Sequence, residues 1–202
     1  MFQENLFTFS IVILLNIYRI HMKNKHSYFS LPGICALISF LFVQCQTIPE
    51  NVKAVENFDQ SRYLGKWYEI ARFDFKFEKN LKNTTATYSL NKDGSIKVVN
   101  TGFDTVERKQ KEAVGKAKFV NEPTQGMLKV SFFGPFYSGY NVIALDSAYQ
   151  YALIAGKNLD YLWILSRTPN LPDQIKREYL VKAKEAGYDL NKLIWVQQDS
   201  VK

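Results

Sequence analysis

Beyond Cys45 the chain contains no cysteine and no histidine; its two cysteines are Cys35 and Cys45, and its two histidines are His21 and His26. A zinc site of nitrogen and sulfur donors, a thiol nucleophile, a Ser-His-Asp relay and an intrachain disulfide in the body of the protein therefore each lack a required residue. Long apolar runs are also scarce. The two candidates, residues 7–17 and 29–43, fall short of the roughly 18 to 20 residues that a spanning helix needs, and Pro32 and Gly33 interrupt the second. What is present suffices for a core: of 202 residues, 47% are hydrophobic and 15% aromatic, enough to exclude disorder by composition. The 26 Lys and Arg exceed the 19 Asp and Glu, but they are interspersed with them. No basic helix or clustered basic loop is present, which argues against nucleic acid, and attraction to anionic membrane surfaces accounts for the excess more simply.

Residues 1–44 read as an address. From Met22, the order Met-Lys-Asn-Lys-His followed by an apolar run has the basic and hydrophobic regions of a secretory signal, which makes Met22 the expected start and residues 1–21 an upstream extension. The run ends directly on Cys45 with no small-residue cleavage site before it, a pattern similar to a bacterial lipoprotein signal whose Cys is acylated. Gln44 departs from that pattern, so two readings of Cys45 stand: a lipidated amino terminus, or a free thiol in a tail behind an ordinary cleaved signal. Residues 45–57 are polar, contain Pro49 and read as a tether. Loss of residues 1–44 removes Arg19, Lys23, Lys25 and Glu4 and takes the net charge from +7 to +5. Residues 58–202 then form one domain.

Within that domain, short alternating segments recur at about ten-residue spacing, separated by turn chemistry. Asn91-Lys92-Asp93-Gly94 joins strands expected over 85–90 and 96–103 as a tight hairpin, with Gly94 free to take positive φ. Residues 121–126 join 113–120 to 127–133; a break over 134–139 precedes 140–145, and strands over 149–155 and 161–166 follow. With an opening strand over 66–73, these make eight. The fold class is all-β: an eight-stranded antiparallel up-and-down barrel of a size that encloses one small ligand. A helix follows, capped by Asn170 and ended by Gly187, whose face of Ile175, Tyr179, Leu180, Ala183 and Ala186 packs outside the barrel. A short last strand, 193–197, carries Trp195.

Three segments in order carry a family resemblance. Gly65-Lys66-Trp67 after an acidic and basic approach, Val142 to Tyr149 with Asp146, and Trp163 to Pro169 with Arg167 resemble the conserved segments of the lipocalins over about residues 57–198. The runs Trp67 to Arg72, Phe132 to Phe136, Asp160 to Pro169 and Ile194 to Gln198 are similar to the bacterial lipocalins, the outer-membrane lipoproteins related to apolipoprotein D. The resemblance implies that Trp67 and Arg167 form a cation–π pair at the closed end of the barrel, and that Gly65, Trp67, Asp146 and Arg167 are structural. It also implies a lipid anchor at Cys45, an outer-membrane location, a fatty acid or lysophospholipid ligand and no cofactor, while leaving a homodimer open.

A calyx for an amphiphile needs inward side chains that are apolar with a few polar groups. Strand parity places Leu165, Trp163 and Tyr161 with Arg167, and Tyr140 and Val142 with Asp146. The expected ligand contacts are Tyr88, Asn100, Phe119, Tyr140 and Trp163, with Tyr137 at the rim. Two competitors remain. One is an interaction module whose barrel is filled by these aromatics. The other is an enzyme using paired carboxylates such as Glu69 and Asp74, both expected as surface or rim charges; enzymatic activity is not expected.

Overall fold

A computed structural model describes residues 47–199. The expected signal, start codon and Cys45 lie outside the described residues. Eight antiparallel strands run in sequence order: β1 (Gly65–Phe73), β2 (Leu81–Leu90), β3 (Ile96–Asp104), β4 (Lys109–Phe119), β5 (Met127–Phe133), β6 (Phe136–Leu145), β7 (Tyr151–Ala155) and β8 (Leu162–Ser166). Each pairs with the next and β1 pairs with both β2 and β8, so the sheet closes and leaves no edge among the eight. A ninth strand, β9 (Leu193–Trp195), adds to the far end of β1.

Alternation along the strands produces two apolar clusters rather than one. Trp67, Tyr88, Val98, Leu128, Val142, Ile154 and Leu165 point into the barrel. Leu153, Ala155, Leu162 and Ile164 point out from the same wall and are covered by helix α2 (Asp173–Glu185) through Tyr179 and Ala183. The Tyr179 hydroxyl donates to the Tyr151 carbonyl at 2.8 Å, so its polar end is satisfied while the ring is buried. Burying a side chain of this size is worth about 1.5–3 kcal/mol.

Several boundaries differ from the sequence expectation for identifiable reasons. The Asn91–Gly94 turn forms as expected, with Gly94 at φ 77° and its amide donating to the Asn91 carbonyl. The break expected over 134–139 shrinks to Gly134-Pro135, because Phe133 pairs with Phe136 and Ser138 and Gly139 pair with Val130 and Lys129. Neighbouring strands therefore override the weak strand propensity of Ser138 and Gly139. Helix α2 is preceded by Pro172, which makes no side-chain cap, rather than by Asn170. The Asn170 carbonyl instead accepts from the Ser166 and Thr168 hydroxyls, each at 3.0 Å. The segment read as a tether is docked from residue 47 onward: Val52 is buried, and the Val55 amide and carbonyl bond to Val142 and Gly126 of the barrel, both at 2.8 Å.

Candidate functional site

One end of the barrel is sealed. A single helical turn, α1 (Gln60–Tyr63), is started by Asp59, whose side chain accepts from the Ser61 amide at 2.9 Å, and it sets the Tyr63 ring into the base of the inner cluster against Trp67. Gly65 takes φ 96°, a left-handed conformation that swings the chain from this turn into β1. The Arg167 guanidinium then lies 3.9 Å from the Trp67 ring centroid. It also donates to the carbonyls of Arg62, Tyr63, Leu64, Lys66 and Tyr149 at 2.7–3.2 Å. Asp146 is structural in its geometry: it accepts from the Gln150 and Tyr151 amides at 2.7 and 2.6 Å and closes the β6–β7 turn.

Above this floor stands a chain of three phenols. Tyr140 is hydrogen-bonded to both Tyr63, at 2.7 Å, and Tyr88, at 2.8 Å. Burial pushes the Tyr63, Tyr88 and Tyr140 hydroxyls well above the ordinary tyrosine range, so all three keep their protons at neutral pH. Asn100 follows Ile96 and Val98 on the inner face of β3, and its Oδ1 is buried without a hydrogen-bond partner. Its ladder neighbours are Ala86 and Ala113, and Val98 pairs with Gly115, so small residues face it from β2 and β4. The Asn100 Oδ1 is thus an inward acceptor without a partner among the described residues, with the Phe132 ring packed against Gly115 nearby.

The structure brings Tyr88, Asn100, Phe119, Tyr140 and Trp163 to the inner face, with Phe119 and Trp163 packed against the inner cluster. Tyr137 differs. It is two-fifths exposed, with the Lys129 ammonium 5.6 Å from its ring, and it shares the outward parity of Gly139 and Asn141. The shortened β5–β6 turn is the reason, since it makes Tyr137 a strand residue rather than a rim loop. The parity assigned to β6 also breaks: a register shift between Val142 and Ala144 leaves Tyr140 and Val142 inside but not in phase with Asp146.

Sequence reasoning missed a buried charged cluster. A strand of period 2 puts residues three apart on opposite faces, yet a bulge between Glu69 and Ala71 leaves Glu69 opposite Leu165 and Arg72 opposite Trp163, all facing inward. The Arg72 guanidinium bonds Glu69 at 2.8 Å and lies 3.9 Å from the Glu78 carboxylate, which accepts from the Trp163 indole at 3.1 Å. Glu69 is thus a buried barrel residue, paired with Arg72 rather than with Asp74, and not a rim charge. Burial and the Glu78 charge push the Glu69 carboxyl up against the opposing pull of Arg72. Burial raises Glu78 from 4.5 to about 6, opposed by the Trp163 hydrogen bond and Arg72.

For a carboxyl raised on folding, the native state binds more protons than the unfolded chain between the two pKa values, so stability falls as pH rises through that window. From pH 4.5 to 7.5 the Glu78 contribution is expected to cost about 2 kcal/mol. Urea midpoints measured across this range should decline toward pH 7.5 in the parent and decline less steeply in Glu78→Gln, whose amide oxygen still accepts from Trp163 while Glu69, also raised by burial, keeps its own contribution. Asp104, held near 2 by Lys111 and the Glu107 amide, is lowered instead and acts in a separate window below pH 4.

Among the described residues, a closed eight-stranded barrel with a sealed floor, an aromatic and polar interior and an outer helix defines a calyx-type β-barrel. The sequence profile described as a Lipocalin-like domain matches residues 58–198, and the chain belongs to the lipocalin family. It is 54% identical over 165 residues to outer membrane lipoprotein Blc of Escherichia coli (strain K12), spanning 81% of this chain and 93% of that protein. It is 50% identical over 163 residues to outer membrane lipoprotein Blc of Vibrio cholerae, spanning 80% and 95%. Among solved structures, the cockroach allergen Per a 4 superposes with a TM-score of 0.60 at 21% identity, covering 76% of this chain and 96% of that one, a likeness of fold.

Proposed function

We propose that this chain is a lipid-binding lipocalin of the bacterial outer membrane, anchored through an acylated Cys45, that holds a single-chain amphiphile such as a fatty acid or lysophospholipid for storage or transport in membrane maintenance. The observation that carries this reading is the partnerless inward Oδ1 of Asn100 beside a small-residue wall, with the phenols of Tyr88 and Tyr140 in the same barrel. Burying about 12 methylenes at roughly 0.8 kcal/mol each yields about 10 kcal/mol before ordering and association costs, which supports micromolar or tighter binding. The names of the bacterial relatives support the location. The chemistry is noncovalent: the inward Glu69 carboxylate is engaged by Arg72.

Titration with lysophosphatidylethanolamine below its micellar concentration tests the reading. The parent should show a saturable change in tryptophan fluorescence at one lipid per chain, and Trp163→Phe should lose most of it. A parent that shows no saturable change overturns the function, and an unchanged signal in Trp163→Phe removes that residue from the site.

A further inference from the structure

Exposed apolar side chains are scattered singly over most of the described surface, as at Leu90, Val114 and Val181, but at the open end of the barrel they gather. Phe77 in the β1–β2 connection, Val106 in the β3–β4 connection, and Phe133 and Phe136 on either side of the β5–β6 turn are 60–79% exposed. The Phe77 and Phe133 rings are 5.8 Å apart. Strands β1 and β5 lie four places apart around an eight-stranded ring, so this contact spans the mouth. Cations stand among the rings: exposed Lys76, Lys79 and Arg108, with the Lys76 ammonium 4.8 Å from the Phe77 ring. Of the carboxylates at this end, Glu78 and Asp104 are buried and Glu107 is bonded to Lys109 and Lys111, while Asp74 and Asp160 are exposed.

The second observation concerns where the chain leaves the barrel. The Thr47 carbonyl accepts from the Asn141 side-chain amide at 2.7 Å and sits against Gly139, where no Cβ would fit. Gly139 is three residues from Phe136, about 10 Å along the strand toward the mouth. One residue, Gln46, separates Thr47 from Cys45, so two peptide steps, about 7 Å of chain at full extension, join them. An acyl group on Cys45 would therefore be held within about 7 Å of Thr47, itself about 10 Å along the strand from Phe136.

We propose that the mouth of the barrel is a membrane-docking face: Phe77, Val106, Phe133 and Phe136 enter the interfacial layer of the phospholipid bilayer that carries the anchor, with Lys76 and Arg108 among the headgroups. The occupant is a lipid surface because the apolar side chains lie across and around the mouth, carry cations at their edge and stand within reach of a chain that leaves Thr47 toward Cys45. The consequence is a barrel that opens into the bilayer rather than into water, so that a lipid passes between membrane and calyx without crossing the aqueous phase. This inference rests on the acylation of Cys45 proposed above.

The test uses the processed, acylated protein in phosphatidylethanolamine/phosphatidylglycerol vesicles. With Cys45 blocked by its lipid and Cys35 lost with the signal, Phe136→Cys takes one nitroxide label, and Val181→Cys on the outer helix serves as reference. Accessibility to oxygen relative to a water-soluble nickel chelate should be several-fold higher at 136 than at 181. Equal, water-like values overturn the docking face, as does dipolar coupling between 136 labels that places a second copy there instead. Two labels per chain in the mass spectrum would mean that Cys45 is free, overturning the anchor itself. Lysophospholipid titration of the same samples separates the outcomes: saturable binding with a water-exposed label refutes only the docking, whereas no binding refutes the proposed function.

Discussion

Arg167→Ala is expected to lower the stability of the domain by about 3 kcal/mol, read as a fall of roughly 1.5 M in the urea midpoint with an unchanged slope. The size follows from how many groups converge on one guanidinium. Five backbone carbonyls, from Arg62, Tyr63, Leu64, Lys66 and Tyr149, accept from it, and the Trp67 ring lies 3.9 Å away. Hydrogen bonds to a charged donor contribute about 1.5–3 kcal/mol each when buried, but the Arg167 guanidinium is half-exposed on the outer side of the sealed end, and water replaces some of them on truncation. Arg167→Lys should recover less than half of the loss, because an ammonium offers three donors from a single point and cannot span five carbonyls while stacking on an indole. A loss below about 1 kcal/mol in Arg167→Ala would show that the floor is held by apolar packing alone.

Arg72→Met is expected to cost about 3–5 kcal/mol at pH 7.5, since it strips the positive partner from two buried carboxylates. The loss should shrink by half or more at pH 4.5, where Glu69 and Glu78, both already raised by burial, take up protons and no longer need a counter-charge. Urea midpoints of parent and variant at the two pH values check this, and a pH-independent loss would mean that Arg72 acts through packing rather than charge. The guanidinium also bonds the Glu78 and Leu81 carbonyls at 2.7 and 3.3 Å, so it fastens the β1–β2 connection to the barrel wall. The Met variant should consequently be cut in residues 74–80 by limited proteolysis before the parent is.

Much of the barrel was legible because its turns are chemically explicit. Asn91 to Gly94 and the Gly134-Pro135 pair punctuate the chain where the hairpins fall, and helix α2 announces its buried face through Tyr179 and Ala183. Inward placement was legible most simply where a strand runs without a shift. Asn100 and Tyr88 lie on the continuous stretches of β2 and β3, and simple alternation puts them inside. Glu69 and Arg72 flank a bulge, and no residue type there marks where the ladder slips; a strand read with period 2 cannot place both inward. The segment before Phe58 escaped for another reason. Val52 and Val55 are apolar residues in a polar stretch, without periodicity of their own, and only the outer apolar cluster for Val52 and the groove beside Val142 and Gly126 for Val55 give them a place.

The two apolar clusters divide the barrel wall into unequal halves. Strands β7 and β8 carry wholly buried side chains on both faces, Ala152 and Ile154 inside, Leu153, Ala155, Leu162 and Ile164 beneath the helix. On the β3–β4 side the outer face shows Lys97, Lys116 and Val114 to solvent, and only the inner face is packed. A container must widen to admit its contents, and a wall clamped on both sides cannot bend without breaking two sets of contacts. The β7–β8 wall, braced by the helix, is therefore the stiffer half, and the β3–β4 wall, solvated on its back, is the half with fewer contacts to break on bending.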